Sequence, residues 1–424
     1  MSVNAPQSPR EPPVASPPAA SDVVVVGGGL VGLALGVALA KAGVTTLVID
    51  RESPATALAA GFDGRASAIA FASARVLQGL GVWPDLAPVA EPIREIRVSD
   101  GDSLLFLHYD HREVGPEPLG YIIENRHLRR ALHAAAAKLD RLVLIAPGEL
   151  AALERGPARI EATLVGGACV RARLAIAADG RASPTREAAG IRTIGWRYRQ
   201  TGIVTSIRHQ HPHRGIAQER FLPAGPFAVL PLVDGPAGEH RSSLVWTERE
   251  ELAPAMMALE EHAFAAEIAL RLGDGLGWIE AAGPRWAYPL GLLQAERYVE
   301  RRLALVGDSA HAIHPIAGQG LNLGLRDVAS LAECVVDAMR LGLDIGASDV
   351  LERYQRWRRF DNLVLMAVTD GLNRLFSNDI EPIRAVRDLG LSLVEHIGPL
   401  KRLFMRHAMG TLGDLPRLAR GEAL

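Results

Sequence analysis

A chain of 424 residues, 48% of them hydrophobic, is long enough for two domains around a sizeable buried core. Its 46 Lys and Arg nearly balance 48 Asp and Glu, a formal net charge of −2, so there is no overall electrostatic case for a nucleic-acid partner. Cys169 and Cys334 are isolated, which excludes a disulfide framework and a cysteine zinc site, and both read as small core residues.

Residues 1 to 21 are dominated by Pro, Ala and Ser without apolar periodicity and read as a disordered tail. The uncharged run from Val23 to Ala40 reaches the roughly 18-residue length of a membrane span. Three glycines break it after four valines, and no basic segment precedes it, so a cytoplasmic protein is expected. The run reads instead as a buried strand, Val23 to Val26, a Gly27 to Gly32 turn and a helix from Leu33 to Ala42. A second strand, Thr45 to Ile49, ends in Asp50, about 20 residues beyond the glycines, where an acid holds a ribose hydroxyl. In this G-x-G-x-x-G setting, Gly27 makes the turn, Gly29 admits a pyrophosphate and Gly32 lets helix and strand approach.

Arg65 follows in GFDGRASAIA, ahead of a helix expected from Ser67 toward Leu80. Chemistry alone leaves two readings for it, a phosphate clamp or a surface cation. Arg126 opens the helical stretch ENRHLRRALHAAAAK, in which Arg129 and Arg130 read as solvated. After a strand at Leu142 to Ile145, the segments Glu161 to Val165 and Cys169 to Ile176 read as a small meander leading into Ala178-Asp179-Gly180. A lone Asp-Gly is a common turn and counts only within an ordered series. A helix is expected to begin over Arg181 to Arg186.

Between residues 190 and 290, short β-prone runs such as Ile203 to Ile207, Phe227 to Leu232 and Ser243 to Thr247 are split by Pro, Gly and His, as in an antiparallel sheet that would cover a substrate. His209, His211 and His213 alternate along what reads as a surface stretch, and neither they nor His311 and His314 offer a complete metal-ligand set. No metal is expected. Leu303 to Val306 reads as a buried strand that delivers Gly307 and Asp308 to a ligand. Pro315 then fixes the backbone, Gly318 and Gly320 leave it bare, and a helix begins near Leu321. Main-chain N–H groups at such a helix start suit an anion or a reduced flavin ring; the bland alternative is a tight strand-to-helix turn. Helices are expected over Val328 to Met339, Asp349 to Leu375 and Ile380 to about Leu412.

The run from His314 to Asp327, HPIAGQGLNLGLRD, resembles the signature of the ubiquinone-biosynthesis hydroxylases, a branch of the flavin aromatic monooxygenases that includes p-hydroxybenzoate hydroxylase. The ordered series G-x-G-x-x-G, Asp-Gly, Gly-Asp supports it. The resemblance implies an α/β fold: a Rossmann-like FAD-binding domain built from 22–90, 120–189 and 291–345, an interleaved antiparallel-sheet substrate domain from 91–119 and 190–290, and C-terminal helices over 346–424. It places Asp50 with Arg51, Arg65, Arg126 and Asp179 on FAD. Gly307 and Asp308 fall at the flavin ribitol, and Pro315, Gly318, Gln319, Gly320, Leu321 and Asn322 against the isoalloxazine. Gln319 is the loop residue for positioning the flavin or its peroxide, and the strand within Glu219 to Leu232 would face the ring.

The implied reaction is hydroxylation of a polyprenyl phenol through a flavin C4a-hydroperoxide formed from O2, with no side-chain nucleophile. Only one dinucleotide unit is legible, so NAD(P)H would bind transiently or electrons would come from another protein. A lipid substrate and the basic amphipathic C-terminal stretch suggest contact with the inner membrane surface or a ubiquinone-biosynthesis complex, although packing on the protein's own body is the commoner reason for such a helix. Rival readings are a hydroxylase of a soluble phenol, a flavin-dependent prenyl reductase and a non-enzymatic prenyl-binding escort.

Overall fold

The computed structural model describes residues 17–59, 61, 63–101, 106–314, 318–376 and 394–424. The four valines of Val23–Val26 are all buried and pair in parallel with Thr46–Ile49 on one side and Leu174–Ala177 on the other. A strand covered on both faces needs no polar alternation, which is why this run mimics a membrane segment in sequence. Among the described residues the sheet has six strands, ordered Val299–Glu300, Leu303–Leu305, Leu174–Ala177, Val23–Val26, Thr46–Ile49 and Leu142–Ile145. All neighbours are parallel except the first pair. Helices Leu30–Lys41, Phe71–Leu80, Asn125–Ala136 and Gln319–Arg340 contribute to one core with it. The chain therefore leaves three adjacent strands side by side at their carboxyl ends, at Gly27, Ala178 and Val306.

The second large sheet is built on Thr193–His209, which pairs antiparallel with Trp286–Ala295 and His240–Arg249. Alternation assigns its two faces. Ile203, Ile207, Phe227, Val229, Leu244 and Trp246 pack on Phe264 and Ile268 of the helix Glu261–Leu272. Their neighbours Gly202, Val204, Ala228, Leu230 and Val245 line a cavity on the opposite face. Trp246 is fully buried, and truncating such a residue costs about 3–5 kcal/mol. Among the described residues the helices Gln319–Arg340, Ser348–Phe376, Gly398–Ala408 and Arg417–Arg420 follow the last sheet strands. Phe376 stacks on Phe221 of the sheet with ring centroids 4.3 Å apart.

Several expectations change. Ser67 lies not in a helix but in the strand Ala66–Ala70, which pairs with Gly120–Glu124, and the helix starts at Phe71. Small residues permit either state locally, and the pairing with a distant strand decides. The expected meander strand from Cys169 to Ile176 divides at Arg173: Cys169–Ala172 joins Ile160–Leu164, while Leu174–Ala177 enters the main sheet. Cys169 is exposed rather than in the core; Cys334 is buried. At the end of the stretch read as a tail, Ala20 bridges to Arg171 and Ser21 donates to Thr45. Residues 1–16, Pro315 and residues 380–393 of the last expected helix lie outside the described residues.

Candidate active site

Glycine chemistry builds the first wall of the site. A Cβ on Gly32 would stand 1.9 Å from the Gly27 carbonyl, and one on Gly27 would meet the Ala178 carbonyl at 2.3 Å, so both positions are closed by the protein's own backbone. Gly29 has no protein atom within 4 Å of a Cβ position. It faces open space at the start of the helix Leu30–Lys41, whose first N–H groups favour an anion. Asp50 accepts from the Gly28 amide and, through Oδ1, from the Glu52 amide at 2.7 Å. Arg51 beside it is on the surface, 3.9 Å from Glu52.

The second wall is the Asp-Gly turn. Asp179 Oδ2 accepts from the Thr185 amide at 3.1 Å, while its Oδ1 is buried with no hydrogen-bond partner among the described residues. Ser183 caps the short helix Pro184–Ala188, and buried Arg186 donates to the Ser309 carbonyl at 3.0 Å. That bond reaches the third wall. Gly307, at φ 59, donates its amide to Asp327 Oδ2 at 3.0 Å. Asp327 is fully buried and is also held by His311 at 2.6 Å and Arg358 Nε at 2.9 Å. Burial pushes the Asp327 carboxyl up, but His311, Arg358 and the Gly307 amide outweigh it and hold it below the usual carboxylate range. Behind this anchor Asp308 turns outward and is exposed. The structure thus gathers Gly27, Gly29, Gly32, Asp50, Asp179, Gly307 and Asp308 along one carboxyl edge of the parallel sheet, where α/β folds bind ligands.

A cavity of about 500 Å³ continues from this edge to the antiparallel sheet. Gly318, Gln319 and Asn322 line one end, with Arg65, Arg181 and Tyr288 beside them. Its remaining walls are mostly apolar, among them Ile93, Leu119, Ala228, Leu230, Val245 and Leu290. Gln319, expected in a loop, is the first residue of the helix Gln319–Arg340, with Gly318 at φ 60 before it. Gly320 is its second residue and Leu321 packs partly on the core. The Asn322 side chain braces the strand Ala66–Ala70: Oδ1 accepts from the Ala70 amide at 2.8 Å and Nδ2 donates to the Ala68 carbonyl at 2.8 Å.

Arg65 is half exposed, lies 4.9 Å over the Tyr288 ring and is paired with buried Asp63. Arg129, read as solvated, is instead largely covered and donates to the same carboxylate at 2.5 Å. Arg126 is not brought to the cavity; it pairs with Glu124 at 2.9 Å. His209, read as part of a surface stretch, is buried and bonds Ser242 at 2.9 Å because its strand runs through the sheet centre. Sequence reading missed Asp63, Arg181 and Tyr288. Only Asp63 left a trace, the acid two residues before Arg65.

These residues fit FAD: an open glycine face at a helix start, outward Asp308, a buried Asp179 oxygen without a partner, and arginines at the cavity edge. A family model described as FAD binding domain matches residues 20–360. The chain is 53% identical to ubiquinone hydroxylase UbiL of Rhodospirillum rubrum, over 99% of this chain and 97% of that protein. It is 38% identical to 3-demethoxyubiquinol 3-hydroxylase of Escherichia coli, over 92% of this chain and 98% of that one. Among solved structures, p-nitrophenol 4-monooxygenase PnpA of Pseudomonas putida shares the fold with a TM-score of 0.76 at 22% identity, covering 92% of this chain and 98% of its own. The chain belongs to the ubiquinone-biosynthesis hydroxylases, FAD-dependent monooxygenases of the aromatic hydroxylase fold.

Proposed function

We propose that this protein hydroxylates the aromatic ring of a polyprenyl phenol, a ubiquinone precursor, with FAD and O2. The observation that carries this reading is the apolar cavity of about 500 Å³ that starts at Gly318 and Gln319 and runs under the antiparallel sheet. Its size lies within the range of about 300–1,000 Å³ usual for small-molecule sites. When bound, reduced FAD activates O2 for transfer of one oxygen atom to an electron-rich ring carbon.

The protein's residues supply binding and orientation. Gly29 and the start of the helix Leu30–Lys41 receive the pyrophosphate, Asp50 a ribose hydroxyl, and Asp308 the ribitol. Amides at the start of the helix Gln319–Arg340 present positive potential to the flavin ring. Ala228, Leu230, Val245 and Leu290 exclude water and seat an apolar ring and the first part of its tail. Arg65 and Arg181 are the cations that face the ring end.

The reductant in this reading is NAD(P)H bound transiently or a protein electron donor. No helix among the described residues is long and apolar enough to cross a membrane. Peripheral contact is proposed through the helix Ser348–Phe376, whose exposed face carries Phe360, Leu363, Val364, Val368 and Leu375, with exposed Arg356 and Arg374 at its margins. Gene deletion followed by mass spectrometry of quinone precursors tests the reaction. A precursor one ring hydroxyl short should accumulate and disappear on complementation; unchanged quinone would refute the assignment.

A further inference from the structure

We infer that Asp63 is a positioning residue that aims Arg65 into the cofactor crevice, an inference that rests on the crevice being the FAD site. The Asp63 side chain is 2% exposed, and its two oxygens accept from three side chains. Oδ1 takes the Arg65 amide at 2.9 Å and Arg65 Nε at 2.9 Å. Oδ2 takes Arg65 Nη2 at 3.0 Å, Arg129 Nη2 at 2.5 Å and Asn125 Nδ2 at 3.1 Å. Burial pushes this carboxyl up, yet the hydrogen bonds and charge of Arg65, with Arg129 and Asn125, hold it below the usual range.

A carboxylate gripping Nε and Nη2 fixes the plane of the guanidinium and leaves the Nη1 corner on the far side. Arg65 lines the cavity beside Gly318, Gln319 and Asn322, stacks over Tyr288 and feels the charge of Asp308. The pair therefore spends the rotamer freedom of a long, half-exposed side chain before any ligand arrives. Two guanidinium groups share one carboxylate. Arg129, 11% exposed, satisfies the charge of Asp63 from inside the protein, so the cluster keeps one positive charge and presents it through Arg65. That is the charge a pyrophosphate or an anionic reduced flavin needs. Asn125 ties the cluster to the helix Asn125–Ala136 and to Ser67 Oγ at 2.6 Å, which sets its place relative to the strand Ala66–Ala70.

A purely structural Asp63 would change stability and leave the affinity of the folded protein for FAD alone. The test is titration of apoprotein with FAD, read by flavin fluorescence, in Asp63→Asn, Arg65→Gln and the double variant. Each single change should raise Kd about tenfold, and the double no more than about threefold beyond the weaker single, because both remove one interaction. Arg129→Gln, which leaves the Asp63–Arg65 pair, should lower thermal stability and change Kd by less than about threefold. If Asp63→Asn does not fold, Asp63→Asn/Arg129→Gln removes both opposite charges and takes its place. A folded Asp63 variant with wild-type Kd, or additive effects of Asp63 and Arg65, would overturn the inference. Failure of the wild-type protein to take up FAD would overturn the reading of the crevice itself.

Discussion

Arg186 donates from Nη1 to the Ser309 carbonyl at 3.0 Å and to the Arg181 carbonyl at 3.0 Å, so one buried guanidinium locks together the turns that leave two neighbouring parallel strands. Ser309 returns a bond of its own to the Ala177 carbonyl at 2.7 Å. The turn that carries Asp179 and the turn that carries Asp308 are thereby one rigid unit. Removing the guanidinium leaves two carbonyls to be satisfied otherwise, at about 1–3 kcal/mol for each that stays buried. Arg186→Met should lower unfolding free energy by roughly 2–4 kcal/mol and reduce bound flavin, as measured by urea unfolding and the flavin-to-protein absorbance ratio. Wild-type values in both would contradict the bridge.

Gly29 and Gly32 should fail in different ways. A Cβ at Gly32 strikes the Gly27 carbonyl, whereas Gly29 opens on empty space in an extended conformation, φ −63 and ψ −175, that valine adopts readily. Gly32→Ala should therefore lose folded protein. Gly29→Val should keep the circular dichroism spectrum of the apoprotein and purify without yellow colour. A yellow Gly29→Val protein would remove the pyrophosphate from that face.

Asp308 is the outward member of a turn whose inward face is anchored on Asp327. Asp308→Ala should leave stability within about 0.5 kcal/mol, as for an exposed side chain away from a structural contact. The loss of a charged hydrogen bond to the ribitol should raise the FAD Kd at least about tenfold. Titration of apoprotein decides; an unchanged Kd would place the ribitol elsewhere.

Ala228 faces the cavity from the strand Gly225–Leu232, remote from the glycine turn. Ala228→Phe should occupy part of the cavity, keep stoichiometric FAD and raise KM for the phenol several-fold. Normal substrate turnover at unchanged KM would mean the ring binds in another place.

His314 is fully buried, with neither ring nitrogen hydrogen-bonded among the described residues, and packs edge-on against Tyr198 at 5.2 Å. Burial pushes its pKa down from 6.5 to about 4, with Asp370 pulling weakly the other way. Between those values the unfolded chain carries the proton and the folded chain does not. Stability therefore rises with pH through the window and is lost as pH falls from about 6.5 toward 4, by on the order of 3 kcal/mol. His209 and His213 are shifted the same way by burial, so the measurement is a comparison. Urea unfolding of His314→Leu should show a shallower loss between pH 7 and 4.5 than the wild type; equal slopes would remove His314 as a source.

Local signals made much of this architecture legible. Four valines, three glycines, a helix and a β-branched strand ending in Asp50 state a dinucleotide unit within about 30 residues, since turn chemistry and hydrophobic period act over short range. The Gly307-Asp308 turn and the helix after Gly318 were legible for the same reason. What the sequence left open lay where a residue's partner is distant. Arg129 reads as a surface cation because Asp63, 66 positions earlier, is invisible as its neighbour. That the Asn322 side chain braces the strand Ala66–Ala70, some 250 positions away, is equally invisible in the sequence.

The sequence by itself made the candidate cofactor-binding edge legible, because strand, glycine turn, helix start and terminal acid are each written in a short stretch of chain. Tertiary structure alone decided the cavity's shape, which arginine faces it and which is spent within the protein. Those outcomes depend on where separate strands and helices come to rest against each other, and on burial that makes an unpaired charge too costly to leave alone.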